Sequence, residues 1–371
     1  MTTAPHENPR KLTLPRGPRD PSYFDLHSYA TISVEPGAPA ERQLREMFRP
    51  FLVDHLDGPA DIVVGEPGPP LSRASHGEHA FRFTDESVDV VADRVRVTVR
   101  PGGYEVRGKG ELLTSVLPVV ERVGVERGAA MVHAATIAIG DAGVCLPAWG
   151  GVGKTSTVAR LTSLPEGRFM GDDWAWVDKN QQLLGYAKPM FLKPHHRELY
   201  PHVFGASSKP LAPSAMTDTV ARLATAVHPV IIRYPRLADV TRRWSPEHMM
   251  AHPEDVFPPE KIATRVPLRL CCFVERYDGD DLELTERSTA WMVRRMLGNF
   301  HSELPRTSRE LITALGATGL VGLDDYFADK AAVLEESVAG VPAYSLRVPA
   351  DWPAPRASTA IADQVLELLS P

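Results

Sequence analysis

The segment Ala148-Trp149-Gly150-Gly151-Val152-Gly153-Lys154-Thr155 constrains this chain more than any other stretch. Its glycines let the backbone curl so that successive N–H groups point inward at one anion. A β-rich run, Gly143–Ala148, precedes it, and a helix-like run, TSTVARLTSL, follows. The positive end of a helix therefore meets the same anion. The segment fits the Walker A pattern, with Ala148 in the first position. In that pattern Lys154 places an ammonium on the β- and γ-phosphates and Thr155 offers a hydroxyl to Mg²⁺. Trp149, Gly150, Gly151, Val152, Gly153, Lys154, Thr155 and Ser156 are the expected nucleotide-binding residues.

The helix-like run leads into RFMGDD, which reads as a short strand ended by Asp172 and Asp173, and then into the aromatic alternation WAWV. The order strand, glycine loop, helix, acidic strand end is the one a phosphate-binding α/β core requires. Carboxylates so placed can face a Mg²⁺–phosphate cluster. One holds metal and the other accepts a proton from an incoming hydroxyl. Thr155 and Asp173 are named as metal ligands, with the division of labour between the two aspartates left open. Like charge this close raises one of the two pKa values. An acidic turn that merely caps the next element is the plainer alternative. His133, in MVHAAT, reads by itself as a satisfied core histidine.

The expected fold class is α/β with mixed sheets, in three parts. Residues 1–22, proline-rich and polar, form a disordered tail. Residues 23–125 form a β-rich lobe, with strands at Tyr29–Val34, Asp61–Val64, Ala80–Phe83, Val88–Val91 and Val95–Val99. Gly65–His79 and Pro101–Gly103 read as loops, and Glu111–Val123 as a helix that Pro118 kinks or breaks. Residues 126–371 form the phosphate-binding core. Within it, Met131–Gly140 and Gly143–Ala148 make a hairpin, and Gly205–Thr217 a connection or lid. Val230–Arg233 and Leu268–Val274 read as strands; Ser288–His301, Ser308–Leu315, Asp324–Val338 and Ser358–Leu369 read as helices, with a strand in AYSLRV.

With 371 residues and a formal charge of −6, the chain can bury a large core and lacks the basic excess of a general nucleic-acid binder. No window reaches the roughly 18 uninterrupted apolar residues that would span a membrane. The three cysteines, Cys145, Cys271 and Cys272, have no metal-ligand spacing. They read as buried thiols of a reducing cytoplasm, with the adjacent pair pointing to opposite faces of a strand. Homo-oligomerisation is left open.

With H-A-A, then G-V-C-L-P-A-W-G-G-V-G-K-T-S, then F-M-G-D-D-W, the stretch Val132–Trp174 resembles the HPr kinase/phosphorylase-like group of the phosphoenolpyruvate-carboxykinase-like superfamily. The resemblance implies an ATP-dependent kinase. It implies that His133 lies close to the acidic pair at the γ-phosphate, that Lys154 and Thr155 handle triphosphate and Mg²⁺, and that Asp172 and Asp173 share the base and metal roles. Two departures from the group bear on the substrate. Ser156 stands where HPr kinases carry an acidic residue, and the E-V-R-G sequence is upstream of the loop, at Glu105–Gly108. HPr is therefore not the expected acceptor.

Downstream, AKPMFLKPHHREL offers Lys188, Lys193, His195 and His196, and RYPRLADVTRRW offers Arg233, Arg236, Arg242 and Arg243. Lys188, Lys193 and Arg233 are candidates for neutralising transferred phosphate or binding substrate; a solvated basic surface is the alternative. Adjacent histidines alone do not make a transition-metal site. The leading expectation is transfer from ATP to a hydroxyl of a small biosynthetic intermediate or of a peptide serine. The competing readings are a regulatory ATPase without an acceptor and a nucleotide-dependent carboxykinase.

Overall fold

Period-two alternation builds the N-terminal part of the computed structural model, which describes residues 20–68, 81–91, 94–109, 112–192, 196–204 and 249–370. Strands β1 (Ser22–Leu26), β2 (Ala30–Val34), β3 (Leu52–Val53), β4 (Ile62–Gly65), β5 (Phe81–Phe83), β6 (Ser87–Val90), β7 (Val95–Arg100) and β8 (Gly103–Gly108) form one sheet in the order β3-β1-β2-β4-β8-β7-β6-β5. It is mixed: β4 runs parallel to β2 and to β8, and the other pairs are antiparallel. Apolar residues of one face, such as Phe24, Ile32, Val64, Val97 and Val106, are wholly buried. Helices α1 (Glu41–Met47) and α2 (Leu113–Glu126) complete this part.

Three differences from the sequence reading have physical causes. Ser22 belongs to β1, so the strand region begins inside the segment read as tail; residues 1–19 lie outside the described residues. The Glu105–Gly108 sequence lies in β8, where buried Glu105 pairs with Arg100 and Arg107, and Arg107 with Glu35. Its charges brace the sheet. Helix α2 runs through Pro118 without a break. Proline cannot donate to the carbonyl four residues back, and that carbonyl, of Thr114, accepts from the Ser308 hydroxyl instead.

The rest is built on the long strand β9 (Ala129–Ile139), followed by β10 (Ala142–Pro147), α3 (Lys154–Ser163), β11 (Gly167–Gly171), β12 (Trp174–Asp178) and β13 (Gln182–Leu184). Then come β14 (Met190–Leu192), β15 (Met249–Ala251), β16 (Arg265–Tyr277), β17 (Glu283–Glu286), α4 (Thr289–Glu303), α5 (Arg306–Ala317), α6 (Leu323–Ser337), β18 (Ala343–Pro349) and α7 (Ala354–Leu369). β9 and β10 form the expected antiparallel hairpin, while β16 runs parallel to β10 and β18. The pairings β9–β12–β13–β16–β10–β9 close on themselves. The fold is mixed α/β with mixed sheets. The strand read at Val230–Arg233 and the connection at Gly205–Thr217 lie outside the described residues.

Side-chain alternation along β9 shows where the cores meet. Ala130, Val132, Ala134 and Ala138 enter one apolar cluster, together with Cys145 and Cys271. On the opposite face, Ala129 and Met131 join the core of the N-terminal sheet. Ala135 and Ile137 join a different cluster, formed with Val158 of α3 and Ile361 of α7. His133 stands between these two sets, at the seam where one core gives way to the next. Cys272 enters the cluster opposite that of Cys271, as the strand alternation requires, and all three cysteines are buried and unbridged. Among the described residues no helix is long and apolar enough to cross a membrane.

Candidate functional site

The glycine loop leaves β10 and enters α3. Ala148, in the position the pattern gives to glycine, is wholly buried and bridges Val274 in parallel pairing. A strand-like residue has no need of the left-handed region, so alanine fits. The turns that do need glycine come next: Gly151 has φ of +82° and Gly153, the N-cap of α3, has +107°. The Lys154 ammonium donates to the carbonyls of Ala148 at 2.8 Å and Trp149 at 3.2 Å, and lies 3.4 Å from His133 Nε2. Burial lowers its pKa, against the attraction of Asp173 and Asp172.

β11 and β12 lie end to end along one edge of β9, both antiparallel to it. The pairing slips by one residue between Phe169 and Gly171, and the ladder resumes at Trp174 opposite His133. Asp172 and Asp173 occupy the interruption. As the sequence reading expected, a strand ends there: β11 stops at Gly171, Asp172 and Asp173 form a bend, and β12 begins at Trp174, so the corner re-aims the two side chains. Gly171 is required at this corner, because a Cβ would lie 2.7 Å from the Trp174 carbonyl oxygen.

The corner turns the two carboxylates to different neighbours. Asp172 Oδ2 accepts from the Thr155 hydroxyl at 2.9 Å, and its buried Oδ1 has no partner. Burial, with the Thr155 bond opposing it, pushes the Asp172 carboxyl up to about 7. Asp173 Oδ1 accepts from His133 Nε2–H at 2.8 Å, and its Oδ2 pairs with the Lys188 ammonium. Burial alone would raise Asp173, but Lys188 and His133 together hold it well below the usual carboxylate range. Thr155 is thus grouped with Asp172, while both oxygens of Asp173, the expected metal partner, are engaged elsewhere.

Two residues that sequence reasoning missed complete the site, both from α4. Asn299, wholly buried, has its side-chain oxygen 3.2 Å from His133 Nδ1. Glu303 accepts from the Gly150 N–H at 3.0 Å. Their four-residue spacing puts them on one helix face. That was the only signal in the sequence, and it is an ordinary one. The expected residues His133, Gly150, Gly151, Gly153, Lys154, Thr155, Ser156, Asp172, Asp173 and Lys188 all line one cavity of about 490 Å³. Trp149 packs edge-on against Phe273, and Val152 is buried in the core, so these two loop residues anchor the loop. His196 also lines the cavity; Lys193, His195, Arg233, Arg236, Arg242 and Arg243 lie outside the described residues.

A second cavity of about 520 Å³ lies by Asp61, Arg122 and Arg127. Its charges neutralise one another, Asp61 with Arg127 and Arg122 with Glu126. It holds none of the residues that the sequence singled out. Among the described residues no three His, Cys, Asp or Glu side chains gather as a metal-binding group. Asp172 Oδ1 and the Thr155 hydroxyl nonetheless offer two adjacent hard oxygens, the donors that Mg²⁺ takes when phosphate and water supply the rest. No family model matches the chain, and no curated protein matches it either.

Proposed function

We propose that this protein is an ATP-dependent kinase of the HPr kinase/phosphorylase-like kind, with a P-loop core, that transfers the γ-phosphoryl group to a hydroxyl. One observation carries the reading. His133, the loop residues Gly150, Gly151 and Gly153–Ser156, and the pair Asp172–Asp173 come from three separate elements and line the same cavity.

The backbone N–H groups of Gly151–Lys154 and the N-terminal end of α3 are suited to stabilise triphosphate charge. Lys154 follows as a mobile cation able to exchange its bonds to the loop carbonyls for phosphate oxygens. Thr155 and Asp172 would hold Mg²⁺, which supplies neutralisation of the β- and γ-phosphate oxygens; the unpartnered Asp172 Oδ1 fits that role. Asp173 is assigned to the acceptor. Its carboxylate orients the hydroxyl and takes its proton as the new O–P bond forms. The bond from Pγ to the bridging oxygen breaks, and ADP leaves with the electron pair. A carboxylate held ionised by Lys188 and His133 is a weak base. That suits a loose transition state, in which the proton leaves late.

The test is mass spectrometry of hydroxyl compounds and serine peptides incubated with the protein and Mg-ATP, with ADP followed in parallel. A phosphorylated acceptor supports the kinase. Brisk ADP formation without one favours the regulatory ATPase, and no binding of ATP defeats both.

A further inference from the structure

Five large apolar side chains stand exposed among the described residues: Phe83, Val91, Phe191, Met250 and Leu323. Two of them face each other. Phe191 on β14 and Met250 on β15 are cross-strand partners, 48% and 42% exposed. Their ribbon is firmly seated, since Met190 and Leu192 turn inward and pack in a cluster with Tyr200 and Val256. The exposed pair is therefore a surface feature of an anchored element.

Its position is informative. Phe191 lines the cavity that holds the glycine loop and the acidic pair. The Lys188 ammonium lies 5.8 Å from the Phe191 ring centre and pairs with Asp173. The apolar step is thus one side chain away from the carboxylate assigned above to the acceptor hydroxyl. Resting on the kinase reading, we infer that Phe191 and Met250 form the acceptor subsite. Its ligand is a small-molecule alcohol whose hydroxyl is carried on an aromatic or branched apolar body. During transfer that hydroxyl loses its proton to Asp173 and gains the phosphoryl group, while ADP departs.

The surface argues against two other acceptors. A polyol is held by polar groups placed around its hydroxyls, whereas the ribbon presents the Phe191 ring to the cavity, with Met250 beside it extending the apolar surface outward from the lining. An extended peptide needs successive side-chain pockets at about 7 Å intervals on one face. Here the next same-face positions fall outside two three-residue strands, and the flanking Met190 and Leu192 point into the core.

The full-length protein is to be given Mg-ATP with 3-phenylpropan-1-ol, glycerol or N-acetyl-Ala-Ser-Ala-amide as acceptor. ATP affinity is measured separately by calorimetry. The phenyl alcohol is expected to exceed glycerol in kcat/KM by about tenfold or more, the effect of burying one ring face. That ratio should fall about tenfold in Phe191→Ser and, independently, in Met250→Ser. Both side chains are exposed, so two separate variants guard against a folding artefact in either. Equal use of the alcohols, preference for glycerol or the peptide, or binding of ATP with none of the three phosphorylated overturns the assignment. So does a loss of ATP affinity in Phe191→Ser with selectivity intact, which would give the ribbon to the nucleotide base. Absence of ATP binding by the unaltered protein would defeat the kinase reading itself.

Discussion

Replacing Lys330 by methionine tests the packing behind the site. Lys330 is 1% exposed, with its ammonium 2.7 Å from Oε1 of Glu121, which is fully buried. The ammonium also sits 3.0 Å from the centre of the Phe300 ring, on the helix that carries Asn299. Burial lowers the Lys330 pKa to about 8 and raises that of Glu121, each opposed by the partner's charge. Lys330→Met removes the one cation that, among the described residues, pairs with a carboxylate that cannot reach water. Breaking such a pair costs about 3–5 kcal/mol at neutral pH, a fall in melting temperature of roughly 5 °C for a chain of this length. The loss should depend on pH in a set direction. With its folded pKa raised above the ordinary 4.5, Glu121 contributes stability that is fully present below pH 4.5 and is lost as pH rises through the folded value. Without Lys330 that folded value rises further, so the deficit should grow by up to about 1.4 kcal/mol per pH unit once pH passes the wild-type folded value, where only the variant still holds the proton. Urea unfolding at pH 5, 6, 7 and 8 measures it. Glu121→Gln combined with Lys330→Met should recover most of the loss, because the glutamine oxygen can still accept the Met131 N–H that Glu121 accepts at 2.9 Å. A deficit below about 1 kcal/mol at pH 7, or one flat across pH, would refute the argument.

Three substitutions address the site directly. Lys154→Ala should abolish triphosphate turnover while leaving the melting temperature nearly unchanged, since Lys154 bonds only to loop carbonyls and faces His133; unaltered turnover would remove the loop from the chemistry. Gly171→Ala should destabilise by about 1–3 kcal/mol through overpacking and lower transfer by one to two orders of magnitude by displacing the acidic corner. Wild-type stability and rate together would show that the corner tolerates a Cβ. Glu303→Gln keeps an acceptor for the Gly150 N–H but removes a negative charge from the phosphate path. ATP affinity by calorimetry should rise about fivefold, the weight of one like charge at about 4 Å in water; weaker binding would make Glu303 a positive element of the site.

The loop was legible because its chemistry is local. Gly151 and Gly153 adopt left-handed backbone that only glycine takes readily, and Lys154 and Thr155 must directly follow. The helices α4, α5, α6 and α7 were legible from their apolar spacing, to within a few residues at each end. What escaped depends on partners distant in sequence. β8 was not read as a strand because its polar Glu105 and Arg107 obscure the alternation, and the pairing of these charges makes sense only with Arg100 and Glu35 beside them. Pro118 looked like a breaker because the hydroxyl that satisfies Thr114 comes from Ser308, 194 residues away. Asn299 and Glu303 had no motif to announce them. Their role follows only from α4 lying along the seam where His133 emerges.

Asp172 and Asp173 make the same point at the scale of one peptide bond. The sequence has two identical neighbours, and like-charge repulsion says only that one of them binds its proton more tightly. Which one is decided by what the bend after Gly171 turns each of them toward. Asp172 meets a neutral hydroxyl, has one oxygen without a partner and is buried, so its charge is poorly compensated. Asp173 meets an ammonium and an imidazole N–H. A carboxylate with an unsatisfied oxygen invites a cation, whereas one already held ionised is ready for a hydroxyl. On the proposed kinase reading the division between metal and acceptor therefore runs along the corner. It places Lys188 on the acceptor side, and Lys188 in turn leads to Phe191. On that proposed reading Asp172 suits the metal better than Asp173, which the sequence reading named, because, of their four carboxylate oxygens, only Asp172 Oδ1 has no partner.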